Sequence, residues 1–391
     1  MNKYPTVFVH GFIGWGEEDG LCSKLHIDYF GLNHGLQKWL REQGFETYNP
    51  AVGPFNSLWD RCCILYAQLY GGTVDYGKVH SERYGHERYG RTYPGLIKDL
   101  GTPGDHAKIN LVGHSFGGPT VRLFDYLMAY GSEEEREGTP ADELSGLFKG
   151  GKGDCIHTVT TLSGVNNGTT YAAFHGIAVN KFLCYYVLNL VTLFGNSSLQ
   201  KYYDMHMEQW GVMKNPEKTK FHRIRIPTYE WLKMYNYAEN RFDNSAFELG
   251  PYVMADINKD IHAHEGTYYF ARRACRSHKS LLGLQTPDLA MSMFCKEAGW
   301  VTSHIITPEM RRFGIDKSWL PTDGYVNTIG TAAPLTEEAT EWKDGMKATP
   351  GHWYNMPIEK KDHVSWNGLK EDDKTLKAYY KDMLTWFREL D

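Results

Sequence analysis

Apolar residues recur along this chain in two alternating rhythms. Short continuous runs stop at glycine or proline, and between them apolar positions return every three or four residues. The first run, Thr6 to Val9, reads as a buried strand entering the glycine-rich loop His10-Gly11-Phe12-Ile13-Gly14-Trp15-Gly16. Leu36, Trp39 and Leu40 share one helical face that ends at Gly44. Residues 45 to 48 form a short strand stopped by Asn49-Pro50. Cys62, Leu65, Tyr66 and Leu69 mark a helix capped by Ser57 and ended by Gly71-Gly72. Ile109 to Val112 is the next buried strand, and Val121, Phe124, Leu127 and Met128 repeat at helical spacing after it. Ile156 to Leu162 alternates β-branched residues and reads as a strand, as does Tyr268-Tyr269-Phe270. The last element is an amphipathic helix with Leu376, Tyr380, Met383 and Phe387 inward and Lys374, Lys377 and Lys381 outward. Strands alternating with helices predict an α/β fold around a mostly parallel sheet.

Three stretches break the rhythm. Residues 73 to 95 are polar, aromatic and aperiodic, and read as a loop insertion. Residues 131 to 153 carry Glu133-Glu134-Glu135-Arg136-Glu137 and Lys149-Gly150-Gly151-Lys152-Gly153, and read as a solvated connection. Leu183, Val187, Leu190, Val191 and Phe194 form a stripe too apolar for an ordinary exposed helix. It is either a core helix or a lid over an apolar cleft that opens at a lipid surface.

The candidate chemistry sits between the third strand and its helix, in Gly113-His114-Ser115-Phe116-Gly117. A Gly-x-Ser-x-Gly turn in a strand–turn–helix setting holds a serine in a strained conformation, at a helix N-terminus whose free N–H groups face the reacting oxygen. A hydroxyl needs a base to take its proton, and the base needs an acid to orient it. Chain order Ser, Asp, His points to Asp323 in Pro321-Thr322-Asp323-Gly324 and to His363 just before the final helix. His352 is a rival for the base, farther from that helix, while His10 and His114 read as packing residues. An oxyanion needs two preplaced N–H donors, worth about 3 kcal/mol each. Phe116, after the serine, and Phe12, in the first loop, are the candidates.

Composition narrows the class. The 391 residues are 41% apolar, 23% charged and 14% aromatic, with net charge −5, an ordinary globular balance that gives no reason to expect nucleic acid as a partner. The seven cysteines show no metal-type spacing and suggest no disulfide framework. No signal peptide opens the chain, and polar residues interrupt the one long apolar stretch, 172 to 194, so no membrane span is expected.

Several longer segments resemble the secreted lipases of thermophilic bacilli and staphylococci, true lipases of the α/β-hydrolase fold. They include His10-Gly11-Phe12-x-Gly14-Trp15-Gly16, Trp59-Asp60-Arg61, Gly71-Gly72-Thr73-Val74-Asp75-Tyr76-Gly77, Gly90-Arg91-Thr92-Tyr93-Pro94-Gly95-Leu96, Gln209-Trp210-Gly211 and Asp323-Gly324-x-Val326-Asn327-Thr328. The resemblance implies one α/β-hydrolase domain over 1–391, with a zinc subdomain near 57–95 and a helical lid near 170–235. It implies Ser115 as nucleophile, Asp323 as acid, His363 as base, and backbone N–H groups of Phe12 and Phe116 as oxyanion donors. It implies a structural zinc held by Asp60, His80, His86 and Glu248, the last standing where the family has Asp. Four protein ligands close the zinc shell, which makes the metal structural. Calcium is doubtful, because Val364-Ser365-Trp366-Asn367-Gly368-Leu369-Lys370 offers no acid after His363. The expected function is hydrolysis of triacylglycerol esters at a lipid–water interface by a secreted enzyme. The alternatives are a carboxylesterase or phospholipase on the same machinery, or a non-catalytic lipid-binding relative.

Overall fold

The computed structural model describes residues 1–174, 201–210, 239–240 and 242–391. In chain order its strands are β1 (Thr6–Val9), β2 (Thr47–Tyr48), β3 (Gly72–Asp75), β4 (Tyr89–Tyr93), β5 (Ile109–His114), β6 (Ile156–Leu162), β7 (Tyr268–Arg272), β8 (Ser277–Lys279), β9 (Gln285–Pro287), β10 (Ala339–Glu341) and β11 (Trp353–Asn355). Seven of them form one sheet in the order β10-β11-β7-β6-β5-β1-β2, and every neighbouring pair is parallel. The mostly parallel α/β sheet expected from the sequence is therefore observed.

Helices cover both faces, which is why β1, β5 and β6 are buried along their whole length. Side chains alternate across the pleat. Val7, Val9 and Leu111 face α2 (Leu58–Tyr70) and α4 (Gly117–Tyr130), meeting Cys62, Leu65, Leu69, Val121 and Phe124. Phe8, Val112 and Phe270 face the opposite layer, α1 (Leu36–Glu42) and the C-terminal α6 (Asp373–Glu389). Leu376, Tyr380, Met383 and Phe387 of α6 point inward as the sequence indicates. Burial of each such side chain contributes roughly 1.5–3 kcal/mol.

Parallel register decides where chemistry can occur. Val9 pairs with Gly113, so the loops leaving β1 and β5 emerge side by side at the carboxyl edge of the sheet. That places the Phe12 loop against the Ser115 turn.

Two stretches depart from the sequence reading. Within 73–95 the chain forms the antiparallel β3–β4 hairpin and helix α3 (Lys78–Tyr84), not a loop. Both hairpin faces are partly exposed, so no period-two apolar signal marks it, and Arg88 forks onto Asp75 to tie its base. The acidic run after Gly131 holds a short helix, Glu133–Gly138. Its Glu135 is buried, and accepts from the N–H groups of Val79 and His80 at the start of α3. The apolar stripe of 183–194, and most of the lid expected over 170–235, lie outside the described residues. No described helix is long and apolar enough to cross a membrane.

One buried acid gives a pH test. Asp125 of α4 accepts from the hydroxyls of Thr267 and Tyr269, and burial pushes its carboxyl up to about 7. Its folded-state value lies above its ordinary value of 3.8, so the folded chain binds the extra proton and this contribution to stability is lost as pH rises toward 7. Asp125→Asn, which mimics the neutral acid, is expected to gain roughly 2–3 kcal/mol relative to the parent between pH 5 and 8. Urea unfolding of both proteins at the two pH values checks this.

Candidate active site

Ser115 leaves β5 with φ +57°, the left-handed conformation that the Gly-x-Ser-x-Gly pattern requires. The flanking glycines are needed because backbone crowds them. A Cβ on Gly113 would lie 2.2 Å from the Gly117 carbonyl oxygen, and one on Gly117 would lie 2.2 Å from the Val9 carbonyl oxygen. Neither contact can be relieved by a side-chain rotation. Gly117→Ala is expected to cost roughly 1–3 kcal/mol in urea unfolding, because β1 and the turn must separate.

The three residues selected by chain order meet. Ser115 Oγ lies 2.8 Å from His363 Nε2, and His363 Nδ1 lies 2.8 Å from Asp323 Oδ2. Asp323 is fully buried, and its other oxygen accepts from the Val326 N–H, so the carboxylate has one free face and it points at the imidazole. The backbone N–H of His363 also donates to the Asp323 carbonyl at 2.9 Å, which fixes the two loops together. With Nδ1–H held by the carboxylate, Nε2 presents its lone pair to the serine hydroxyl. His352 is elsewhere: it precedes β11, at the amino edge of the sheet, and bonds Thr340 Oγ1 at 2.8 Å.

Among the described residues, the N–H groups of Phe12 and Phe116 have no hydrogen-bond acceptor. Both belong to backbone beside Ser115, so two donors are free where an oxyanion would form. Their support includes side chains that the sequence reading did not use. The Tyr29 hydroxyl accepts from the Gly11 N–H at 3.0 Å and donates to His114 Nδ1 at 2.8 Å. His114 Nε2–H in turn donates to the His363 carbonyl at 2.9 Å. Burial, with the neighbouring His363 adding to it, holds His114 well below its ordinary value, in the neutral form this relay needs. His114 thus does more than pack, since it links the loop of Phe12 to the loop of His363. Tyr29 carries no motif that could have revealed it.

Ser115 opens into a cleft of about 600 Å³ whose walls include Phe12, Trp15, Leu32, Val165, Leu249, Phe294 and Val364. Apolar walls around a single activated hydroxyl suit an apolar ligand carrying one reactive polar centre.

A second cluster lies at the start of α2. Asp60 on α2, His80 on α3, His86 and Asp243 are buried, and each offers one ligand atom within 4.8 Å of the others. His80 Nε2 lies 3.1 Å from Asp243 Oδ1 and 3.5 Å from Asp60 Oδ1, while His86 Nε2 lies 3.4 Å from Asp243 Oδ2. Asp60 Oδ1, Asp243 Oδ2 and His86 Nε2 have no hydrogen-bond partner although all three are buried. His86 Nδ1–H is held by the Glu87 carbonyl, so its Nε2 lone pair is aimed at carboxylates. Burial opposes charging of His80, yet the facing carboxylates of Asp243 and Asp60 outweigh it and push the imidazole up to about 9. Orphaned donor atoms converging on one point fit a divalent cation with mixed nitrogen and oxygen ligands.

The fourth member corrects the sequence expectation. Glu248 does not join this group. It ends the short helix α5 (Ser245–Glu248), and its Oε2 accepts from the Leu58 N–H at 2.9 Å, satisfying a free donor at the start of α2. Asp243, five residues earlier, is the carboxylate beside the two histidines. After His363, where the resemblance would place calcium ligands, Lys370 puts its ammonium 3.4 Å from the Met291 carbonyl oxygen.

Comparison with known proteins identifies the family. The chain matches the family model "Lipase-like, C-terminal domain" over residues 2–389. It is 32% identical to Lipase 1 of Staphylococcus aureus (strain MRSA252) over 378 residues, covering 95% of this chain and 52% of that protein. The chain thus spans about half the length of the curated relatives it matches. Among solved structures it resembles lipase 1 from Pelosinus fermentans, with 34% identity, a TM-score of 0.80 and full coverage of both chains. It also resembles Staphylococcus hyicus lipase, with 26% identity and a TM-score of 0.82, covering 100% of this chain and 96% of that one. A match running almost end to end, on a sheet that carries the strained serine at its carboxyl edge, means that this chain belongs to the lipase-like C-terminal domain family.

Proposed function

We propose that this chain is a serine ester hydrolase, a lipase acting on triacylglycerols. The observation that carries this is the Ser115–His363–Asp323 relay at the floor of an apolar cleft. Ser115 Oγ attacks the ester carbonyl carbon as His363 Nε2 takes its proton. The carbonyl oxygen becomes an oxyanion, received by the N–H groups of Phe12 and Phe116. Imidazolium then gives that proton to the leaving alcohol, and the acyl group stays on Ser115. Water, deprotonated by the same imidazole, releases the fatty acid and restores the hydroxyl. Asp323 orients the ring and stabilises its charged form throughout.

Zinc is the metal we assign to Asp60, His80, His86 and Asp243. A borderline ion suits two imidazoles and two carboxylates, and four protein ligands leave no open position for substrate, so its contribution is to stability. Gln209 Nε2 donates to Asp60 Oδ2 at 2.6 Å and orients that ligand. We read the protein as secreted, as its resemblance to secreted lipases implies.

A lipase is favoured over an esterase for soluble substrates by the surface near the cleft. Met293 and Phe294 are 83% and 70% exposed, and Phe294 also lines the cleft. Large apolar side chains kept in water beside a site suit adsorption to a lipid surface. The expected result is a sharp rise in rate as tributyrin passes from dissolved to emulsified. A rate that saturates below the solubility limit, with no rise at the emulsion, would favour the carboxylesterase instead.

A further inference from the structure

Arg61 is fully buried, and among the described residues no Asp or Glu lies within ion-pair distance of it. A buried cation without a counter-charge is costly, and an apolar side chain of the same volume would be the cheaper way to fill the space. What Arg61 holds instead is backbone. Nη2 donates to the His10 carbonyl, Nη1 to the Gly53 carbonyl at 2.9 Å, and Nε to Thr120 Oγ1 at 2.9 Å. The Thr120 hydroxyl in turn donates a hydrogen bond to the Phe116 carbonyl at 2.8 Å. The guanidinium also sits over the Phe116 ring, 5.2 Å from its centroid.

His10 stands two residues before Phe12, and Phe116 directly follows Ser115. The two proposed oxyanion donors come from separate loops, after β1 and after β5. One guanidinium is therefore bonded, directly or through a single hydroxyl, to the backbone of both. Its planar fork fixes three acceptors at set angles, which a lysine ammonium on a flexible stem cannot do. These bonds are charge-assisted, and so shorter and stronger than neutral ones.

We propose that Arg61 is a positioning residue for the oxyanion hole, setting the spacing between the Phe12 and Phe116 N–H groups. The proposal rests on the ester-hydrolase reading above. Both donors must meet one oxygen at about 2.7–3.1 Å. A shift of either loop therefore weakens transition-state binding while the apolar cleft, and with it ground-state binding, is unchanged.

The test compares the parent with Arg61→Lys on p-nitrophenyl butyrate, with rates expressed per active site titrated by a fluorophosphonate. Labelling of the parent establishes the hydrolase reading independently of the variant. Arg61→Lys is expected to lower kcat roughly 10- to 100-fold, with KM changed by less than about threefold. A trifluoromethyl ketone, whose hydrated carbonyl forms an oxyanion on the serine, should lose affinity in the same proportion as kcat/KM. If Arg61→Lys does not fold, Thr120→Val and Thr120→Ser replace it. The first loses the hydroxyl that joins Arg61 to Phe116, and is expected to lose kcat by roughly tenfold. The second keeps the hydroxyl and should retain parental kcat. A variant that is less heat-stable but has parental kcat per titrated site, or whose ketone affinity is unchanged while kcat falls, would overturn the proposal.

Discussion

Replacing Ser115 by alanine is expected to lower kcat on p-nitrophenyl butyrate by roughly 10⁴- to 10⁶-fold with only a small loss of stability. The side chain is small, and among the described residues its Oγ bonds only the imidazole of His363, so the fold gives up one hydrogen bond, about 1 kcal/mol. Relief of the strained left-handed φ at this position is not expected, since alanine carries a Cβ as well. The chemistry loses its only positioned nucleophile. Residual rate above that in water should remain, because the Phe12 and Phe116 donors and the apolar cleft still bind the ester. Asp323→Asn should lose nearly as much, roughly 10⁴-fold, because an amide that turns its NH₂ toward Nδ1 selects the wrong tautomer. Steady-state rates with thermal unfolding of all three proteins check both statements. A loss confined to KM would mean that the serine only binds substrate.

The second large effect concerns the metal. Chelation of the purified protein is expected to lower its stability by about 3 kcal/mol or more, with activity falling only as the fold does. The reason is the pair of carboxylates, Asp60 and Asp243, facing each other's histidines with unpartnered buried oxygens. Without a cation, that charge is balanced only by protonating His80 and His86. Readdition of zinc should restore the melting temperature, and elemental analysis should find one zinc per chain. Asp243→Asn should abolish the response to chelator. Glu248→Gln should keep it, because Glu248 bonds the start of α2 and its amide oxygen can still accept the Leu58 N–H. A chelator response that survives Asp243→Asn would remove this residue from the site.

The parts legible in sequence were those written in local periodicity. The apolar runs of β1, β5 and β6 are buried on both faces, so their composition alone marks them. The serine turn was legible because its strain demands glycine at fixed offsets, and backbone oxygens do crowd those positions. Asp323 and His363 were found from chain order, which reflects how successive strands deliver loops to one edge.

What stayed hidden depended on contacts between distant segments. Asp243 and Glu248 are five residues apart in one acidic segment, and nothing in their spacing says which reaches the histidines. The difference arises because α5 turns Glu248 toward the start of α2, while Asp243 precedes that helix. The β3–β4 hairpin was missed because polar residues pair across it, as Thr73 does with Thr92, leaving no apolar stripe. The roles of Tyr29 and Arg61 stayed hidden because each bonds backbone, Tyr29 accepting from the Gly11 N–H and Arg61 donating to the His10 and Gly53 carbonyls, and a backbone partner carries no sequence signature.

The most direct measurement is the site and rate of fluorophosphonate labelling, read by peptide mass spectrometry. The reagent needs a serine already activated by its imidazole and an oxygen already received by the two N–H donors. One adduct per chain is expected, on Ser115, absent from Ser115→Ala and much slower in Asp323→Asn. Labelling at another serine, or at an undiminished rate in Ser115→Ala, would contradict it.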